Sequence, residues 1–498
     1  MAVIAFLYAA SVMSVCYPIK SPIESFCFGS LQGLLLYSCF RWFAQPVYVG
    51  TFNYLSPLAL FNTLAFTYYG PGNCLPFLFP IQYGHVLGLE EHYIPVLALA
   101  AAAAWGFDFF YRAVSQFLNE TRTQYPSTAT VADFRTSSAV PLTVIGLIAL
   151  ALSYYISTKY SLLTTQQIDT ANAGDNILVL SLRGLLAVVV VAAAQFHFRR
   201  PTVVRTALSL AALALVTPIA FQLASRSVVY PLGVIILSME LFHRGSVKRN
   251  HIIALLLFLV IGWVAVRLIK DTRGSRVALT RENYSVLASG VSTTSSRDAG
   301  YRLAGLDFPA AIWEQQIHLG NPPLLGRHAL TAFLGQIPRV LWPGKDVPDS
   351  KGLIYDAYGM NSPEDQIMTP LPSALADGGI VGGILLASVL GGILCLLQHV
   401  VLRARYGLVV YFCSISYLFW FENSGVAYIM LYVRFSLLVW PFLLAVAAVL
   451  GRRRRFEANI GRPLQRFSVS GDRSVTRSAV PYSRMLRQRS SGSATYGC

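Results

Sequence analysis

Long apolar runs, separated by polar segments, follow one another along most of the chain. They cover roughly residues 1–17, 24–42, 52–69, 93–111, 139–157, 178–196, 203–220, 226–242, 251–269, 374–397, 406–422 and 426–449. Most are close to the length of about 20 residues that an α-helix needs to cross a hydrocarbon core of about 30 Å. The pattern therefore predicts an all-α polytopic membrane protein with about 12 transmembrane helices.

One polar segment, 270–373, is far longer than the other connections. Within it, the stretch 300–320 places leucine and isoleucine at helical spacing, with Pro309 set to break or to start the helix. The stretch 322–344 predicts a second helix that ends before Pro338. We expect short amphipathic helices within one large external loop, and such helices could lie on the membrane surface.

The composition supports a membrane protein, because 55% of the 498 residues are hydrophobic and only 12% are charged. Soluble domains contain about 25% charged residues. The first apolar run has neither a basic region before it nor a clear cleavage site, so we interpret it as a retained helix. The seven cysteines are scattered, and this spacing predicts neither a disulfide framework nor a metal site.

Lysine and arginine determine the expected orientation, because short cytoplasmic loops of membrane proteins are rich in them. We place the N-terminus and the C-terminus in the cytoplasm. With twelve spans, the basic segments that then fall in the cytoplasm are 196–201, 243–250, 402–407, the tail after Gly451 and the segment with Arg112, Arg122 and Arg135. Loops 70–92, 158–177 and 270–373 lie outside in this topology.

The net charge of +16 is concentrated in the tail 452–498, where eleven arginines accompany only Glu457 and Asp472. The tail is poor in apolar residues, so we expect it to be disordered. A solvated cytoplasmic tail that touches anionic lipid is the ordinary interpretation, and we expect no nucleic acid as partner. The expected parts of the chain are helices 1–9 in 1–269, the external loop 270–373, helices 10–12 in 374–451 and the tail 452–498.

Several arginines lie inside or beside the apolar runs, where a charge is costly and is by default a functional hypothesis. Arg183, Arg226, Arg267 and Arg434 approach the outer face from four different spans. The external loop adds Arg297, Arg302, Arg327, His328, Arg339 and Lys345. The planar guanidinium group gives a phosphate two parallel hydrogen bonds. The alternatives are snorkelling, an ion pair such as Arg434 with Glu422, and solvated loop charge.

His318 and His328 are the histidines of the external loop. Either could accept a proton near neutral pH, and Asp307 and Glu314 are alternative bases. A structural role is the competing interpretation for each of them. The sequence contains no HExxH, phosphate-binding loop, GxSxG or aspartate-rich motif. We therefore expect chemistry without a metal and without a cofactor.

The motifs of the second half resemble those of the Wzy-type O-antigen and exopolysaccharide polymerases. The residues that carry the resemblance are Arg226 in a short SRS turn, the run Pro338 to Lys345 (PRVLWPGK) and the glycines in TPLPSALADGGIVGG, 369–383. The similarity extends over roughly 180–450, whereas the first 170 residues add only spans. The motifs are short, and the family diverges strongly.

The resemblance implies a glycosyltransferase that takes a polyprenyl-pyrophosphate-linked oligosaccharide as donor and a second one as acceptor. It implies the outer, periplasmic face of a bacterial inner membrane, with a chain-length regulator and a flippase of the same pathway as candidate partners. Arg226 and Arg339, which match the motifs, would be catalytic, and His328 is the closest candidate by position for the catalytic histidine, which no motif identifies here. Arg183, Arg302, Arg327, Lys345 and Arg434 would bind substrate.

Three other functions remain open at this stage. An O-antigen ligase would use the same chemistry with a different acceptor. A glycosyltransferase that uses a polyprenyl-monophosphate sugar would need acidic residues in its first outer loop, where the chain has only Glu24. A flippase for lipid-linked oligosaccharides would have short loops on both sides, and the segment 270–373 argues against that.

The topology is tested by labelling single cysteines from outside the cell, in a chain whose native cysteines are replaced. A cysteine at Gly290 should react with a membrane-impermeant reagent, whereas a cysteine at Val247 should react only after permeabilisation. The opposite labelling pattern would reverse the orientation.

Overall fold

Helices make up the secondary structure of the described part of the chain, as the apolar pattern predicts. The computed structural model describes residues 1–16, 21–44, 55–74, 90–120, 139–159, 173–222, 226–245, 305–337, 350–360, 369–404, 406–418 and 425–460, with isolated positions within 249–257 and 342–347. These residues contain no strand. The chain divides into the unit Met1–Ala447, which is described here, and Ala448–Cys498, of which the described residues are helical.

The first eight helices precede the external segment of the sequence prediction. They are α1 (Ala2–Cys16), α2 (Pro22–Ala44), α3 (Pro57–Tyr69), α4 (Tyr93–Glu120), α5 (Ala139–Lys159), α6 (Ala173–Arg199), α7 (Val203–Gln222) and α8 (Arg226–Arg244). Short helices α9 (Asp307–Trp313), α10 (Arg327–Gln336) and α11 (Ser350–Tyr358) follow. The last are α12 (Pro370–Arg403), α13 (Gly407–Leu418) and α14 (Gly425–Ile460). Single turns are formed by Pro71–Cys74, Glu90–His92 and Glu314–His318, the last a π-helix.

Every predicted span except 251–269, most of which lies outside the described residues, coincides with a helix. Six helices are long and apolar enough to cross a membrane, and they lie within α2, α4, α5, α6, α7 and α12. Helices α3 and α13 have 13 and 12 residues, fewer than the roughly 20 that a span requires. The chain is thus an all-helical protein with six candidate membrane spans in its described part, and the full number of twelve stays a prediction.

The surface of these helices carries large apolar side chains. Val203 is 87% exposed, Ile23 76% and Val381 70%, and each lies in or at the end of a candidate span. Exposed apolar surface on this scale marks an interaction surface. Lipid is the environment that fits it, because the same helices have few charged residues.

Small residues let α4 and α12 pack closely. A Cβ added to Gly391 would lie 2.4 Å from the carbonyl oxygen of Phe107, and one added to Gly106 would meet the Ser388 side chain. Such close approach is typical of helices that associate in membranes through glycine and serine. The glycine-rich segment 378–392 thus contributes Ser388 and Gly391 to the close contact with α4.

Helix α12 is broken near its beginning. Gly379 has φ 63° and ψ −161°, a conformation outside the helical region that is essentially restricted to glycine. Gly379 thus divides α12 into a short helical stretch, residues 370–378, and a longer helix that begins after it. The break leaves carbonyl groups at the end of this stretch without their helical partners.

The segment that the sequence predicts to be external, called the external segment below, supplies the missing hydrogen bonds. Gln316 Nε2 donates to the carbonyls of Leu375 (3.0 Å) and Ala376 (3.3 Å), and the Leu324 N–H donates to Ala376 (2.8 Å). The Tyr358 hydroxyl donates to the same Ala376 carbonyl at 3.2 Å. Burial raises the pKa of Tyr358 above its ordinary value, so its phenol remains a donor. The broken helix and the external segment therefore form one hydrogen-bonded unit.

The two amphipathic helices predicted for the external segment behave differently. Helix α9 has Pro309 in its first turn, and its residues 307–312 are buried against protein, so this part of the predicted helix does not face a membrane surface. Helix α10 ends before Pro338, as predicted. It keeps an apolar surface, with Leu330 59% and Phe333 44% exposed. Ile317 and Leu319, which follow α9, are also exposed, at 48% and 60%. A position at the membrane surface stays a prediction for both regions.

The break in α12 can be tested with two glycine-to-alanine variants. Gly379→Ala should lower stability by on the order of 1–3 kcal/mol, because alanine is strained at this φ and ψ. Gly382→Ala is the matched control, since nothing lies within 4 Å of its added Cβ and alanine favours a helix. Thermal unfolding of both purified variants in detergent measures the difference. Equal unfolding temperatures would contradict the role of Gly379.

Candidate functional site

The structure describes only some of the arginines that the sequence analysis named as candidates. Helix α8 begins at Arg226, as the sequence predicts, although only the backbone of this residue is described. Arg302 and Arg339 lie outside the described residues, as do Arg267, Arg297 and Glu422. The assignment of the arginines to pyrophosphate binding stays a prediction, and so does the alternative ion pair of Arg434 with Glu422.

Arg183 and Arg434 are the sequence neighbours of residues through which helices α6 and α14 contact each other. Gly184 of α6 packs against Val439 and Phe435 of α14, with its added Cβ 3.3 Å from Val439 Cγ2. The side chains of Arg183 and Arg434 are both half-buried. The Nε of Arg183 is buried and makes no hydrogen bond to the described residues. A buried guanidinium donor without a partner is suited to an anionic ligand.

Arg327 and Lys345 have different surroundings. Arg327 is exposed at the first position of α10. Lys345 donates from Nζ to the carbonyls of Gly335 (2.5 Å) and Ile337 (3.0 Å). A cation at these carbonyls stabilises the C-terminal end of α10. Lys345 thus has a structural explanation in the fold, and the substrate-binding role predicted for it has no geometric support.

His328 is held at the start of α10 by Asp377. The Asp377 carboxylate accepts from the His328 N–H at 2.9 Å and from the Ala329 N–H at 2.7 Å. Its Oδ2 also lies 3.6 Å from Nδ1 of the His328 ring. The two side chains are 1% and 2% exposed. One carboxylate thus satisfies two N–H groups at the helix start and faces the imidazole.

The other ring nitrogen of His328 has no such partner. Its Nε2 is buried and makes no hydrogen bond within the described part of the chain. A buried unsatisfied polar atom is costly and points to strain, a catalytic role or a missing ligand. With a carboxylate beside Nδ1, the imidazole has the arrangement of a base that a third group orients.

A second set of contacts joins the segment around α9 to the ends of α3 and α4. Tyr93 donates from its hydroxyl to Asp307, the Leu306 N–H donates to Asn73 Oδ1 at 3.1 Å, and the Gly305 N–H donates to the Tyr68 carbonyl at 3.2 Å. Segment 305–318 and the end of loop 70–92 therefore lie at one end of the helices. Asp307, an alternative base in the sequence, is buried in this contact.

Three further side chains meet at the same end. His92 Nε2 lies 2.7 Å from Glu314 Oε2, and the rings of His92 and His318 have centroids 4.8 Å apart. One donor atom from each of the three lies within 4.8 Å of the others. The sequence analysis considered Glu314 and His318 separately. It missed His92, which belongs to a distant loop, although Glu314 and His318 have the i, i+4 spacing of one helical face.

Comparison of the chain with protein-family models, curated proteins and solved structures finds no match. The resemblance to the polymerase family therefore rests on the short motifs of the sequence. The geometry around α10 and α12 is the independent basis on which a function can be proposed.

The Asp377 contact predicts a measurable loss of stability. Asp377→Asn keeps one acceptor oxygen but turns an amide N–H₂ toward a backbone N–H, so a buried donor loses its partner at a cost of about 1–3 kcal/mol. Asp356→Asn is the control, because Asp356 is exposed on α11. We expect thermal unfolding in detergent to occur at a lower temperature only for Asp377→Asn. Unchanged unfolding of that variant would remove the proposed role of the carboxylate.

Proposed function

We propose that the chain is a polysaccharide polymerase. It transfers a growing glycan from a polyprenyl-pyrophosphate carrier onto the next lipid-linked repeat unit at the outer face of a bacterial inner membrane. The motifs around Arg226, Pro338–Lys345 and 369–383 support this activity by resemblance. The geometric observation that carries it is His328, whose ring lies against Asp377 and whose Nε2 has no hydrogen-bond partner within the described residues.

His328 acts as the general base in this proposal. The acceptor hydroxyl gives its proton to Nε2 while its oxygen attacks the anomeric carbon of the donor glycan. Asp377, beside Nδ1, stabilises the imidazolium that forms. Because protein atoms cover Nε2, the acceptor reaches it only when the outer segment moves, as lids and loops of many enzymes do.

Arginine supplies the charge that the departing pyrophosphate needs. The bond between the anomeric carbon and the pyrophosphate oxygen breaks, and negative charge grows on the leaving group. Preorganised cations stabilise such charge most strongly in a site that excludes water. Arg226 is the proposed principal ligand, with Arg339 and Arg302 from the external segment. Arg183, with its buried Nε, and Arg434 are the proposed additional contacts from α6 and α14.

The protein exposes an apolar surface on α12, close to His328, along which the polyprenyl chains of the substrates can lie. Val381, Leu385 and Leu386 lie just beyond the break in α12 and are 70%, 54% and 44% exposed. An isoprenoid tail along this surface would place its pyrophosphate near the helix break and His328. Holding both substrates by their tails restricts their orientation before reaction.

The proposed activity is tested with purified protein and a lipid-linked repeat unit, without any nucleotide sugar. The wild-type chain should produce a ladder of lengthened glycans. His328→Ala should lower the elongation rate about 10²–10⁴-fold, the usual contribution of a general base. Arg226→Ala should abolish elongation, and Arg226→Lys should restore little because a point charge cannot replace the guanidinium fork. Arg200→Ala, at an exposed arginine between α6 and α7, should elongate normally.

Each variant is first checked for normal insertion and a single species in size-exclusion chromatography, since loss of a buried charge can unfold a protein. A normal ladder from Arg226→Ala or His328→Ala would reject the assigned residue. Single transfer onto an acceptor other than the repeat unit would identify a ligase. Movement of the lipid-linked unit across vesicles without any new bond would identify a flippase.

A further inference from the structure

Two imidazoles and one carboxylate form a cluster that does not include the proposed base, His328. His92 ends the turn Glu90–His92 directly before α4, and Glu314 and His318 are the first and last residues of the π-helix after α9. We propose that these three residues bind a divalent transition-metal ion of the zinc type. The bound ion fastens the external segment to the end of α4. This inference does not depend on the polymerase activity.

The donor atoms already lie close together. The Nε2 of His92 is 2.7 Å from Glu314 Oε2, and one donor from each residue lies within 4.8 Å of the others. Bonds of about 2.0–2.2 Å in a tetrahedral zinc site separate two donors by about 3.3 Å. Small side-chain rotations are therefore enough to place all three around one ion. The π-helix aids this, because its i, i+5 hydrogen bond from Leu319 N–H to the Glu314 carbonyl, 3.1 Å long, fixes both ligands on one turn.

The burial and the hydrogen bonding of His92 indicate a metal ligand rather than one partner of a simple ion pair. His92 is 6% exposed, and its buried Nε2 makes no aligned hydrogen bond within the described residues. The close Glu314 carboxylate satisfies the distance of an ion pair but not the direction of an N–H···O bond. A ring nitrogen and a carboxylate oxygen that lie close together without an aligned hydrogen bond between them have the arrangement of two ligands of one cation.

The donor set selects the type of ion. Imidazole suits zinc and neighbouring transition metals, whereas magnesium and calcium require mainly oxygen ligands. Two histidines and one glutamate leave a fourth tetrahedral position for water or another group. Glu91 is near, with Oε1 3.7 Å from His92 Nε2, but its side chain is 75% exposed. The three-residue set is therefore the minimal site.

The location of the cluster gives the ion a structural consequence. Gln316 lies between Glu314 and His318 in the same π-helix and donates to the carbonyls of Leu375 and Ala376 at the break in α12. An ion bound at His92 therefore holds the residue that completes the broken helix. Metal binding to the folded state alone raises its stability by mass action. The same ion thus couples α4, the external segment and α12.

The test uses the full-length protein, purified in detergent, stripped with a chelator and dialysed against zinc. Elemental analysis should find about one zinc per chain. His318→Ala removes an exposed ligand and is not expected to disturb folding, whereas Glu314→Gln removes the carboxylate. Both should lower zinc content severalfold. The controls His197→Ala and Glu24→Gln remove one imidazole and one exposed carboxylate elsewhere and should retain wild-type zinc content.

Thermal unfolding provides the second measurement. Zinc should raise the unfolding temperature of the wild type and of both controls by several degrees, and should not raise that of His318→Ala. Zinc content that is unchanged in His318→Ala and Glu314→Gln would overturn the proposal. The absence of bound zinc, or preferential binding of magnesium, would also overturn it. Neither readout uses glycan elongation, so failure of the metal site and failure of the polymerase proposal are distinguishable.

Discussion

The contacts between α12 and the segments 305–337 and 350–360 depend on the break in α12 at Gly379. A helix that stops inside an apolar environment leaves carbonyl groups that water cannot reach, and unsatisfied groups of this kind cost several kcal/mol each in lipid. Here Gln316, Tyr358 and the Leu324 N–H satisfy the carbonyls of Leu375 and Ala376. The segments around Gln316, Leu324 and Tyr358 consequently complete the hydrogen bonding of α12.

The dependence is reciprocal, because the broken helix also stabilises the external segment. Asp377, the last residue before the two glycines of the break, accepts hydrogen bonds from His328 and Ala329 at the start of α10. The N-cap residue of α10 is Gly326, which has no side chain to do this. A carboxylate at a helix N-terminus also interacts favourably with the helix dipole. The position of the His328 ring is thus fixed by the same few residues that complete α12.

Sequence periodicity predicted the helices well and the site only in part. Apolar runs specify helices locally, so α2 or α4 could be predicted, and Gly379 lies in a glycine cluster that the sequence already marked. Asp377 was part of that quoted motif, but its partners on α10 are known only from the fold. The same holds for His92, which meets Glu314 across more than two hundred positions of sequence. Separation along the chain hides such contacts, since no local spacing rule connects the residues.

The way in which the break is filled also bears on the class of protein. In transporters with discontinuous helices, the freed ends of half-helices are typically open to ions and substrates near the bilayer midplane. In this chain the carbonyls of Leu375 and Ala376 are occupied by protein groups, and the neighbouring Asp377 is occupied by backbone N–H groups. Beside the break, the Nε2 atom of the His328 ring has no hydrogen-bond partner among the described residues. A filled break beside an unsatisfied imidazole supports the proposed transfer reaction, because these carbonyls offer no open site to a passing solute.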